Sequence, residues 1–165
     1  MEYSPVPAGH TADYMIIGSF VASVAAFAVS FSDFAYRGII QIIGLVLLTI
    51  CIYIAIRYRF TVFRYLISEE NGEALLTVYR KQGRRSIAEC RISLLYLKSA
   101  VLYFSGGELK KARRVTAFYN YSASIEPKRL CFAVFDNGGE KKTGIILEPD
   151  DTFYRALCDY LPETP

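Results

Sequence analysis

The sequence predicts an α+β membrane protein: a two-helix transmembrane hairpin, then a seven-stranded antiparallel β-barrel or sandwich capped by a C-terminal amphipathic helix. Three observations predict it. The first third of the chain holds two charge-free apolar runs, the rest reads as short strands broken by glycine turns, and charge is segregated between the two parts. The chain is 53% hydrophobic yet 21% charged, which requires apolar and charged residues to occupy different regions. Before Arg57 the only Lys or Arg is Arg37, against Glu2, Asp13 and Asp33. From Arg57 to Leu147 stand 17 basic and 8 acidic side chains, and the last residues turn acidic again.

Residues 1–13 read as a short tail. The hairpin occupies 14–56, with spans 14–31 and 38–56. The first run, "YMIIGSFVASVAAFAVSF", reaches about 27 Å as a helix, enough for a bilayer core. The second, "GIIQIIGLVLLTICIYIAI", has only Gln41 and Thr49 as polar interruptions. A signal peptide requires a positively charged leader, and "MEYSPVPAGHTAD" is acidic. A soluble core helix shows a polar stripe, and neither run has one. Gly18, Ala22 and Ala26, with Ser19 and Ser23 beside them, are spaced for close helix approach. Packing on the other span is the expected use of that stripe, ahead of a dimer seam. Neither run contains an ionisable residue, so the pair reads as an anchor and not as an ion pathway.

The short link around "SDFAYR" returns the chain to its starting side. Arg57, Arg59 and Arg64 crowd the end of the second span and mark that side as cytoplasmic. Both termini are therefore expected in the cytoplasm, with the protein a multi-pass component of the cell (inner) membrane. Tyr58, Phe60 and Val62 then alternate with Arg59, Thr61 and Phe63, so the helix is expected to pass almost without a linker into a strand.

Residues 57–165 form the predicted β domain. "YRFTVFRYLI", "EALLTVYRKQ", "RRSIAECRI", "AVLYFS", "VTAFYNYSAS", "RLCFAVFD" and "KKTGIILEP" are the seven strands, with Asn71-Gly72, Gly83, Gly106-Gly107 and Asn137-Gly138-Gly139 as turns. A closing helix over 151–161 is capped by Asp150, carries Asp151 in its first turn, presents Phe153, Ala156, Leu157, Tyr160 and Leu161 on one face, and stops at Pro162.

The junction "IRYRFTVFRYLI", the segment "IAECRISLLYLKS" and the closing "ILEPDDTFYRALCDYL" together resemble the bacterial pleckstrin-homology-like (PH-like) membrane proteins, in which membrane hairpins lead directly into such a domain. The resemblance covers most of Ile54 to Leu161 and implies a binding or scaffold module without catalysis. Relatives that bind phosphoinositides use cations at the loop joining the first two strands. Here that loop is "SEENGE", acidic where phosphates require positive charge.

Cations cluster elsewhere: Arg80, Lys81, Arg84 and Arg85 at one turn, Lys110, Lys111, Arg113 and Arg114 in "GELKKARRVT", then Lys128 with Arg129 and Lys141 with Lys142. Such clusters solvate turns and protect sheet edges, hold a tethered domain on an anionic leaflet, or contact nucleic acid, for which no recognised motif is present. The residues singled out for lipid-surface or partner binding are Arg57, Arg59, Arg64, Arg84, Arg85, Lys110, Lys111, Arg113 and Arg114. The expected partners are membrane lipid, through two spans, and a protein, self-association included; neither nucleic acid nor a small-molecule substrate is expected.

No cofactor, metal or catalytic residue is assigned. His10 is the only histidine, and Cys51, Cys90, Cys131 and Cys158 stand far apart as buried structural thiols do. No glycine cluster has the spacing of a phosphate loop. Glu69-Glu70 and Asp150-Asp151 have plain explanations in a loop and a helix cap. An enzyme with an unrecognised site is the remaining alternative, and it has no residues to rest on.

Overall fold

The computed structural model describes residues 1–6, 10–32, 36–104, 115–136 and 142–162. The chain divides into two compact units, Gly9–Thr61 and, together, Met1–Ala8 with Val62–Pro165.

The first unit is a pair of packed helices, α1 (Thr11–Ser30) and α2 (Arg37–Tyr58). Both are long and apolar enough to cross a membrane, with mean hydropathies of 1.7 and 2.8, and few of their residues are buried. Their seam is polar and small. Ser23, 1% exposed, donates its hydroxyl to Gly44 O at 2.8 Å, and Cys51 Sγ approaches Ile16 O at 3.5 Å. A Cβ on Gly44 would lie 3.3 Å from the Phe27 ring. Three further hydroxyls bond within their own helix: Ser19 to Met15 O, Ser30 to Phe27 O and Thr49 to Leu45 O.

The small-residue stripe divides across this seam. Ala26 meets Gly44, but Gly18 and Ala22 are exposed, and a Cβ on Gly18 would touch nothing within 4 Å. On the face that does pack, the Ser23 hydroxyl takes its acceptor from the other helix and not from its own. At the end of α2 the Thr61 hydroxyl donates to Ile56 O at 2.8 Å. The helix persists to Tyr58, and the strand that sequence places from Tyr58 begins at Thr61.

Among its described residues the second unit has eight strands in two four-stranded sheets and a further helix. The first sheet runs β1 (Glu2–Tyr3), β2 (Thr61–Glu70), β3 (Glu73–Gln82), β4 (Arg85–Ser93). Asn71 and Gly72, at φ 54° and 82°, form the two-residue turn between β2 and β3, a pair with both residues at positive φ as the type I′ geometry requires. A single helical turn, Leu94–Tyr96, leads into the second sheet. Its strands are β5 (Leu97–Tyr103), β6 (Ala117–Asn120), β7 (Leu130–Phe135) and β8 (Thr143–Leu147), in the order β5-β7-β8-β6.

The core lies among these layers. Tyr65, Leu76 and Val78 come from the first sheet, Cys131, Ala133, Phe135, Ile145 and Leu147 from the second, and Phe153 and Leu157 from α3 (Asp151–Cys158). Asp150 Oδ1 accepts from Phe153 N at 2.7 Å, the expected cap. A smaller cluster, Leu130, Phe132 and Ile146, covers the other face of the second sheet, where Gly144 leaves room for the Phe132 ring.

Three features correct the predicted domain. The tail contributes a strand, because Glu2 and Tyr3 pair antiparallel with Leu66 and Tyr65, and the Tyr3 ring lies tilted against Tyr65 and Phe153 with ring centroids 6.1 and 6.0 Å apart. The sheets do not close into a seven-stranded antiparallel barrel, since β6 runs parallel to β8 from Ala117↔Thr143 to Asn120↔Ile146. The predicted strand through Ser124 stops at Asn120. Glu148 is the cause: its carboxylate accepts from Ala123 N (3.0 Å), Ser124 N (3.1 Å) and Ser124 Oγ (2.9 Å), taking donors that a longer strand would place in a ladder. Tyr65 Oη, donating to Tyr121 O at 2.6 Å and accepting from Glu148 N, locks the same corner.

Candidate functional site

The predicted cationic positions among the described residues fall in both units. In the helical unit the Arg57 guanidinium lies over the ring of its neighbour Tyr58, 5.0 Å from the centroid, and Arg59 Nε donates to Asp13 at 2.7 Å. In the β unit Arg64 pairs with Glu2 and Arg91 with Glu70. The Arg64 guanidinium holds the Glu2 carboxyl below its ordinary range. Arg80 meets Glu89 at 2.9 Å across β3 and β4, and Arg129 meets Asp151 at 2.6 Å. Most of these arginines thus have acidic neighbours. A different setting is found at the turn around Gly83, whose φ is 60°. There Lys81, Arg84 and Arg85 are exposed and form no ion pair among the described residues. Lys110, Lys111, Arg113 and Arg114, together with Lys141, lie outside the described residues.

The feature that sequence reasoning missed is a groove on the α3 side of the β unit. One hollow, of about 510 Å³, opens between the Gly72 turn, the helical turn at Leu94–Tyr96 and the chain after α3. A second, of about 530 Å³, opens between β2 and the end of α3. Glu69 and Tyr160 line both. Leu94 and Leu97 belong to the wall of the first and Ile67 and Ala156 to that of the second, while Leu95 stands at the rim 78% exposed. Tyr160, expected on the buried face of the last helix, instead follows α3 and is 37% exposed. The signals were present as the acidic "SEENGE" and the adjacent leucines of "SLLYL". Nothing local says that a strand turn and a later helical turn become neighbours.

The thiols outside the helices suit packing. Burial pushes Cys90 upward and Cys131 to about 12, so neither is an activated nucleophile. All four cysteines are free. Among the described residues no three His, Cys, Asp or Glu side chains gather as a metal site would require. The buried Glu148 spends both oxygens on the 123–124 backbone and hydroxyl, which makes it a fastener of that corner. No protein-family model and no curated protein matches this sequence.

Proposed function

We propose that the chain is a membrane-anchored, non-catalytic, PH-like binding or scaffold module at the cytoplasmic face of a bacterial membrane, and that its β unit takes a protein partner. The observation that carries this reading is the pairing of β1 with β2. It puts the chain before the apolar helices and the chain after them into one folded unit, so a spanning hairpin has both its ends on one side. The excess of Lys and Arg after α2 favours the cytoplasm as that side. Seven strands from β2 onward and a final helix keep the PH-like order, and the parallel β6 is the departure from it.

Labelling with a membrane-impermeant maleimide tests the arrangement. In intact spheroplasts Ser32→Cys, beside the link, labels, whereas Ser86→Cys, on β4, labels only after permeabilisation. The reverse pattern sinks the reading. Partner binding is tested by cross-linking in native membranes and affinity purification of the full chain, with recovery of a defined, stoichiometric protein as the expected result.

One observation favours a second reading, an anionic-lipid surface sensor: the unpaired Lys81, Arg84 and Arg85 at one exposed turn. Cations at a membrane surface contribute about 1 kcal/mol each when well placed. In nanodiscs this reading requires slower hydrogen exchange at residues 81–86 with anionic lipid than with neutral lipid, reversed by salt.

A further inference from the structure

We infer that the groove along α3 receives a cationic segment of a partner protein, with an apolar side chain in each hollow and a Lys or Arg between them facing Glu69. This rests on the partner-binding reading above and specifies its site and the chemistry of its occupant.

The groove supplies two separated apolar hollows, and Glu69 and Tyr160 form the wall common to both. Two anchors joined by a chain fit that layout, which a peptide provides and a compact small molecule does not. Leu95 at the rim offers a large apolar side chain to solvent, and Tyr160 offers a ring with a polar tip, both suited to a contact that excludes water.

Charge selects the occupant. The charged groups of the groove are Glu69, Glu73 and Asp159 against Lys98 and the Met1 ammonium, which donates to Ile67 O at 2.6 Å, and none of the three carboxylates has an ion-pair partner among the described residues. The carbonyl end of α3, just before Asp159, adds partial negative charge on the same side. This surface is acidic although the chain as a whole carries +3. A cationic segment is attracted, and its contact with rim carboxylates adds orientation and on-rate to the apolar burial.

The test uses the full chain in neutral detergent micelles and two fluorescent synthetic peptides of equal length, one alternating Leu and Lys, the other Leu and Glu. Anisotropy should rise with the Leu/Lys probe and not with the Leu/Glu probe. Glu69→Gln with Glu73→Gln should weaken binding roughly tenfold, equivalent to about 1.4 kcal/mol, and Lys98→Gln should tighten it. Leu95→Ser should weaken binding with its salt dependence unchanged. Equal binding of the two probes, or indifference to the paired Glu→Gln change in a chain that keeps its near-UV dichroism, overturns the proposal. A photoreactive amino acid at Leu95 or at Ile87 of β4 separates the two levels of the argument. A protein cross-linked from Leu95 and lost with Glu69→Gln/Glu73→Gln supports the groove. A protein cross-linked only from Ile87 overturns the groove and leaves a partner-binding module standing.

Discussion

In the helical unit the buried contacts are made by Ser23, Gly44 and Cys51, and the exterior is Ile, Val, Leu and Phe; in the β unit Tyr65, Phe135 and Phe153 fill the interior and Arg–Glu pairs lie outside. The same backbone requirement, that no buried polar group go unpaired, therefore produces opposite patterns. Where the surroundings are apolar, association gains little from burying more carbon, so a close backbone approach and one hydroxyl bond define the seam. Where water surrounds the unit, aromatic and aliphatic burial supplies the drive. The polar groups of the interior include one closed set, Glu148, Tyr65 and the 121–124 segment, while Ser68 Oγ is buried without a hydrogen bond.

That contrast can be broken most severely at Glu148. Glu148→Ala leaves two buried N–H groups and a hydroxyl without their acceptor, and removal of a buried, fully bonded carboxylate costs about 3 kcal/mol or more. Thermal unfolding of the β unit, followed by near-UV dichroism, should shift strongly downward, while helical dichroism from α1 and α2 persists. Loss of both signals together would show that the two units do not follow separate rules.

Gly144→Ala ranks next. Its Cβ would fall 2.6 Å from Phe132 Cε2 and 2.9 Å from Val115 Cγ2, so the ring must move and about 1–3 kcal/mol of β-unit stability should be lost. Phe132→Leu in the same chain should recover part of that loss; failure to do so would place the strain elsewhere.

Within the hairpin the comparison is sharpened by two glycines. Gly44→Val intrudes on Phe27 and Ala26 and should weaken helix association, whereas Gly18→Val meets open space. A cysteine cross-linking assay between α1 and α2 in native membranes should report a clear loss for the first and none for the second. Ser23→Ala, which removes one interhelical hydroxyl bond, should cost about 0.6 kcal/mol.

The smallest effect is expected at the exposed Glu2–Arg64 pair. The Glu2 carboxyl sits below its ordinary value near 4.5 because Arg64 bonds its charged form. Its contribution is therefore present above pH 4.5 and is lost as pH falls through the lowered folded value. Hydrogen exchange of the β1–β2 amides should quicken on that acid side, and Glu2→Gln should remove this component of the pH dependence.

Much of this architecture was legible because it is written in local patterns. Uncharged runs announced α1 and α2, Asn71-Gly72 announced a turn, and Asp150 before an amphipathic stretch announced α3. What escaped was non-local. Two residues are too few for a strand period, so β1 depends on Tyr3 finding Tyr65 and Phe153. The alternation in "VTAFYNYSAS" favours a strand throughout, yet it ends at Asn120, where the Asn120 side chain accepts from Ser122 N and the distant Glu148 takes the next two backbone donors. The seam of the hairpin turned on one serine, which spacing alone cannot rank above glycine and alanine. For the candidate site, the acidic loop and the leucines were each visible, but their meeting across a groove is a product of the tertiary fold.

The pairing of β1 with β2 also sets an order of events during synthesis. Tyr3 is made about sixty residues before Tyr65, an interval of about 3–12 seconds at a synthesis rate of about 5–20 residues per second. Both apolar helices are synthesised within that interval, and the partner strand is finished only after them. The first strand therefore waits for its partner, and the sheet it belongs to is completed only once both helices have been made.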